Sequence, residues 1–283
     1  MKIRNIFYIG LLFLISTLGF AQDIYLAGNG VTIIADPSAV TGQNYLLGGT
    51  NYMVVDNATV DAQVDAGNYN IVTTRVTDMS NQFLSKNTFN SDISHWDTSN
   101  VTNMDSMFSG AVLFNQPINN WDVSSVTDMS YMFYHAYKFD QPLNNWNVSN
   151  VTTMEFMFGR TGNFSLAAAN DFNQDIGDWD VGKVLNFRAM FRCSLFNQDI
   201  SDWDVSSATV MGQMFDQTGN FDNRGVSLSC WDTSSVTTMD WMFYLTAFSQ
   251  DISKWCVPLI GSLPTNFQNV GGTNPTWGAA CSG

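Results

Sequence analysis

Aspartate recurs beside tryptophan through most of this 283-residue chain, and that recurrence is the first feature that could do chemistry. Counted from each tryptophan, the next position holds Asp97, Asp122, Asn147, Asp180, Asp204 and Asp232, and the preceding one includes Asp178 and Asp202. A row of carboxylates could bind a divalent cation or face a cationic partner, and two of them could act as the acid and base of glycoside hydrolysis. Nothing singles out such a pair, and a periodic aspartate is explained by the repeat that carries it. Calcium is the one cofactor the row suggests, although the chain lacks the glycine-rich nonapeptide of calcium-binding β-rolls. The plainer alternative is that each aspartate accepts a hydrogen bond from a nearby turn amide or serine hydroxyl. His95 and His135 are isolated, and no nucleophile-elbow motif frames a serine. The expectation is an interaction face, with no catalytic residue and no metal site assigned.

What positions these residues is a phrase of about 25 residues, a period that means stacked repeats. One copy reads Phe114-Asn-Gln-Pro-Ile118-Asn-Asn-Trp121-Asp-Val123-Ser-Ser-Val126-Thr-Asp-Met129-Ser-Tyr-Met132-Phe133. The tryptophans are Trp96, Trp121, Trp146, Trp179, Trp203 and Trp231, with Trp255 opening an unfinished copy and Ile71 standing in the first. From each tryptophan to the phenylalanine of its copy the distance is always 12 residues, whereas the return to the next tryptophan varies from 12 to 21.

Within the constant half, apolar residues fall at −3, 0, +2, +5, +8, +11 and +12. Alternation at 0 and +2 reads as a strand, and the later three-to-four-residue spacing reads as a short helix. Threonine at +6 (Thr102, Thr127, Thr152, Thr209, Thr237) is placed to cap that helix, with Asp105, Glu155 or Asp240 three residues on. Positions −1 and +1 would then face outward on a sheet. The fold expected is an α/β solenoid of about seven strand–turn–short-helix units between two caps.

Residues 1–21 read as a secretory leader: Lys2 and Arg4, an apolar run from Ile6 to Phe20, then small residues. Residues 22–70 read as an N-terminal cap of short strands and one glycine-stopped helix, 71–255 as the repeat array, and 256–283 as a C-terminal cap. The net charge of −14 argues against nucleic acid and anionic lipid, and no stretch after the leader is apolar enough to insert in a membrane. Four cysteines in an exported chain read as structural. Cys193, Cys230, Cys256 and Cys281 allow three pairings, and the Pro/Gly-rich C-terminal segment reads as a cap stapled by Cys256–Cys281. Insertions at 159–170 and 220–225 interrupt the array.

The unit F-N-Q-[DP]-I-x-x-W-[DN]-[VT]-S-x-V-T-x-M-x-x-M-F, over about residues 71–260, resembles the BspA-like leucine-rich-repeat surface proteins. Its Ile-x-x-Trp-x-Val spacing follows leucine-rich repeats, with valine where their asparagine stands. The resemblance implies a right-handed leucine-rich-repeat-like solenoid, a secreted or cell-surface location, and adhesion to an extracellular protein or matrix partner, without catalysis. A calcium- or carbohydrate-binding surface protein, with a glycan as partner, is the alternative.

Overall fold

The computed structural model describes residues 23–162 and 169–281, so the expected leader and part of the first insertion lie outside the described residues. The five strands among the described residues all precede residue 76. β1 (Ile24–Leu26) and β2 (Ile33–Ala35) pair antiparallel. β3 (Asn44–Leu47) and β4 (Thr50–Asp56) form a hairpin, and β5 (Ile71–Arg75) adds in parallel to β4. Gly48 and Gly49 turn that hairpin at φ 59° and 87°, the doubly left-handed geometry that matches strand twist in a two-residue loop.

The β4–β5 crossover is α1 (Val60–Asp65), which turns Val60 and Val64 into the core. Its end is built locally: the Gly67 amide donates to the Val64 carbonyl and the Asn68 amide to that of Gln63. That is the Schellman pattern, with glycine in the left-handed position. The short strands and glycine-stopped helix expected of this segment are therefore present.

From Val76 onward the expected architecture is overturned. Among the described residues after Arg75 the repeats contain no α-helix and no strand, only single parallel bridges and one 3-10 turn at Asn223–Gly225. The α/β solenoid of strand–turn–short-helix units is not what this chain forms. The outward-facing sheet on which −1 and +1 were to lie is absent with it.

Each repeat is instead a succession of β-turns. The Met107 amide donates to Met104, Ser109 to Ser106 and Ala111 to Phe108. Turns closed by bonds three residues apart place apolar residues much as a short helix would, which is why the pattern read as helical. The helix is blocked at +10, where Asn81, Ser106, Tyr131, Phe156, Ala189, Gln213 and Trp241 all have φ between 52° and 62°. For a residue with a Cβ this costs about 1 kcal/mol. The cost is offset by bonds to the next repeat: the Asn81, Tyr131 and Gln213 amides donate to the carbonyls of Asp105, Glu155 and Asp240.

Other ladders join neighbouring repeats. Bridges link the +7 residues from Asp78 through Asn103, Asp128, Thr153, Asn186 and Val210 to Thr238. The +6 threonines cap nothing; Thr102, Thr127 and Thr152 each donate their hydroxyl to the carbonyl of Thr77, Thr102 and Thr127 respectively. The Asn-Gln of the phrase serves the same end, since Asn115 Oδ1 accepts from the Asp140 amide and from Gln141.

The interior holds the expected residues. Trp121, Trp146, Trp179, Trp203, Trp231 and Trp255 are each 3 % exposed. Each indole N–H donates to the −3 carbonyl of the preceding repeat, as Trp146 does to Ile118 at 3.0 Å. The +12 phenylalanines stack from Phe83 to Phe243 with centroids 5.3–5.9 Å apart. A second phenylalanine lies against each, as Phe139 does on Phe133 at 4.0 Å. One continuous core results, running from Val55 to Phe267.

Candidate functional site

The acidic row is mostly engaged in turns. Asp97, Asp122, Asn147, Asp180, Asp204 and Asp232 each accept, through a side-chain oxygen, the amide two residues on, at 2.9–3.2 Å. These are Asx turns, and at Asp97 the Ser99 hydroxyl adds a bond of 2.7 Å. Ser206 likewise holds the Asp204 carboxyl below its usual range, by its side-chain and then its backbone hydrogen bond. Asp97 is buried and the other five are exposed, as are Asp178 and Asp202. Asp178 lines a shallow cleft with Asn144, Gln174 and Trp179. Among the described residues no three His, Cys, Asp or Glu side chains gather in a way that could hold a metal ion.

A different surface gathers the side chains best suited to recognition. The left-handed residues at +10 and their neighbours at +13 and +14 line one set of clefts along successive repeats. Where the core repeats Trp, Val, Met and Phe, these positions change from copy to copy. Tyr131, Tyr134 and Phe156 form an aromatic cluster: Tyr131 stacks on Phe156 at 5.2 Å, and Tyr134 meets both edge-on at 5.4 and 5.6 Å. His135 continues it, 4.2 Å from the Tyr134 ring, and a cleft of about 400 Å³ opens beside Tyr134, His135, Tyr137 and Thr161.

His135 is held in one neutral form. The Thr161 amide donates to Nε2 at 3.2 Å, so Nε2 carries the lone pair and Nδ1–H donates to the Tyr137 oxygen at 2.6 Å. Burial, and then the charge of Arg160, push its pKa down; burial also depresses His95, against the pull of the Tyr69 carbonyl. Both folded-state values lie below the unfolded 6.5, so on acidification the unfolded chain takes up protons first. Their contribution is complete above the unfolded value and is lost as pH falls through the depressed ones. The denaturation midpoint should therefore drop between about pH 7.5 and about pH 5.5. A His95→Gln/His135→Gln variant should lose most of that slope in urea titrations; an unchanged slope would exclude the histidines as its source.

Further along the same face lies a cleft of about 620 Å³, lined by Arg192, Gln213, Asp216, Gln217, Trp241, Tyr244 and Leu245. Arg192 Nε donates to Asp216 Oδ2 at 2.6 Å, with the two side chains 16 % and 1 % exposed. Burial raises the Asp216 carboxyl, while the Arg192 bond and charge and the Gln217 side chain draw it back. Its Oδ1 is buried without a donor. Trp241 and Tyr244 meet at 4.7 Å and 72°, making a corner of two partly exposed rings. Trp241 also borders a second cleft with Arg188, Gln213 and Asp240.

Reading the +8 to +12 segment as a helix hid this face, because it drew attention to the buried side of each unit. The available signal was variation: +10 runs Asn, Ser, Tyr, Phe, Ala, Gln, Trp, while +12 is phenylalanine throughout.

The Cys256–Cys281 bridge is present, with Cα atoms 5.3 Å apart, and Cys193 (buried) and Cys230 (exposed) are free thiols. No helix among the described residues is long and apolar enough to cross a membrane.

No curated protein and no solved structure matches the sequence. One family model matches twice, over residues 51–169 and 162–277, and is described as Mycoplasma protein of unknown function, DUF285. Those two stretches take in the β4–α1–β5 segment and nearly all of the repeats, and on that coverage the chain belongs to the DUF285 family.

Proposed function

We propose that this chain is a secreted or cell-surface binding module without catalysis, which engages an extracellular protein or matrix partner through the +10, +13 and +14 face. The observation that carries this reading is the contrast between a nearly constant interior and a variable, aromatic-rich exterior. Hydrogen-bond ladders hold the backbone of each repeat in one geometry, so side chains on that face can differ without disturbing the layers beneath. Tyrosine and tryptophan presented this way are the residues that dominate interface energetics, since each buries a large rigid surface at small entropic cost. Export by an N-terminal leader, the excess of acidic residues and the likeness to BspA-like surface proteins support an extracellular setting. The acidic row contributes solubility and turn structure rather than the main contact.

Immobilised purified matrix proteins, titrated with the full chain, test this. Saturable binding to at least one is expected, weakened by about 2 kcal/mol, roughly thirtyfold, in Tyr131→Ala/Tyr134→Ala. Asp178→Asn/Asp202→Asn should leave it unchanged. The opposite ranking of the two variants would move the interface to the acidic row, and saturable binding to none would refute the proposal.

A further inference from the structure

We propose that the cleft framed by Trp241, Tyr244 and the Arg192–Asp216 pair is a binding subsite for a neutral glycan, taking one pyranose ring of an oligosaccharide. This goes beyond the protein-binding reading: the cleft lies on the same +10, +13 and +14 face, in later repeats than the tyrosine cluster.

Trp241 differs from the tryptophans that define the repeat. Those are almost wholly buried and donate to the neighbouring layer, whereas Trp241 stands at +10, partly exposed, in a position that smaller or more polar residues fill in most copies. Its ring meets Tyr244 nearly perpendicularly, so the two aromatic surfaces form a corner. The C–H-rich face of a pyranose is the kind of ligand surface that lies on such a ring, because it is apolar while its rim is polar.

The remaining walls suit that rim. Each sugar hydroxyl both donates and accepts, and so needs acceptors and donors side by side. Arg192 offers guanidinium N–H groups, and Gln213 offers an amide with both functions. Asp216 Oδ2 fixes Arg192 through Nε, so a planar donor array is presented without freezing a long side chain at the moment of binding.

Charge and size narrow the class. The Arg192 and Asp216 charges cancel at 2.6 Å, Arg188 nearby is matched by Glu155 at 3.9 Å, and the chain as a whole is at −14. A sulfated or carboxylated sugar would find no net positive charge here, so the ligand is neutral. A volume of about 620 Å³ lies within the range of about 300–1,000 Å³ usual for small-ligand sites.

The test uses the full chain with neutral oligomers of glucose, mannose, galactose and N-acetylglucosamine, plus a sulfated galactose oligomer. Binding is read by tryptophan fluorescence and calorimetry. At least one neutral oligomer should bind saturably at millimolar concentration, and Trp241→Ala and Gln213→Ala should each weaken it at least about tenfold. Melting temperature should be unchanged in both variants, and Tyr131→Ala/Tyr134→Ala, which weakens matrix-protein binding, should leave neutral-oligomer binding unchanged, which separates this site from the tyrosine cluster. Absence of neutral binding, preference for the sulfated oligomer, or binding that survives both substitutions would each overturn the proposal.

Discussion

Replacing Phe133 by alanine should lower the unfolding free energy by about 3–5 kcal/mol, the range for deleting a buried aromatic ring. Phe133 is fully buried. It stacks on Phe108 at 5.5 Å and Phe158 at 5.4 Å in the neighbouring layers, and on Phe139 at 4.0 Å within its own. A cavity there strips contacts from three phenylalanines, and the backbone around it cannot collapse freely. Its amide is tied to Met157 and the amides of Met132 and Tyr131 to Met129 and Glu155. Nearest-neighbour stacking makes a central layer costlier to damage than a terminal one. Phe83 begins its column and has a +12 partner on only one side, so Phe83→Ala should lose less. Urea denaturation followed by tryptophan fluorescence decides the matter, and a loss below about 1 kcal/mol at Phe133 would mean that the layers are not the main source of stability.

Breaking the Cys256–Cys281 bridge should cost about 3.5 kcal/mol, the chain-entropy value for a closed loop of 25 residues. The bridge closes the segment that covers the last repeat. There the Trp241 amide donates to Thr265, Phe243 to Phe267 and Ile252 to Thr273, and Phe267 meets Phe243 edge-on at 5.4 Å. Those contacts replace the next repeat that the amides would otherwise have reached. Loss of the bridge frees this segment to fray and exposes the end of the phenylalanine columns. Comparing the Cys256→Ser/Cys281→Ser variant with the parent by thermal melting measures the effect, and equal midpoints would sink it. The same preparation should show one alkylatable thiol when native, Cys230, because Cys193 is buried and burial raises its pKa.

The first 50 or so described residues could be read closely from the sequence because each cue there is local. Gly48-Gly49 specifies a hairpin turn, and Gly67 stops α1 through a pattern of two hydrogen bonds. In the repeats the inside residues were legible but the backbone was not. Met129, Met132 and Phe133 are buried under either a helix or a series of turns, so burial pattern alone could not separate the two. The deciding residues were those at +10, whose left-handed backbone has no residue-type signature when Tyr131, Gln213 and Trp241 all adopt it.

The same limit applied to the acidic row. Its periodicity suggested a charged face, and the alternative of turn-capping aspartates, also readable from the neighbouring serines, is the one the hydrogen bonds support. The proposed recognition surface was missed because it lies on residues that do not repeat.

Sequence by itself determined the repeat, its register and the buried tryptophans and phenylalanines, because periodic apolar residues must share a core whatever backbone carries them. Only the tertiary structure decided that the units are turns rather than strand and helix, since the amides that reject the helix find their acceptors about 25 residues away, in the next layer. It also decided where the outside is. Trp121 and Trp241 are the same residue type, and stacking buries one and leaves the other at the edge of a cleft.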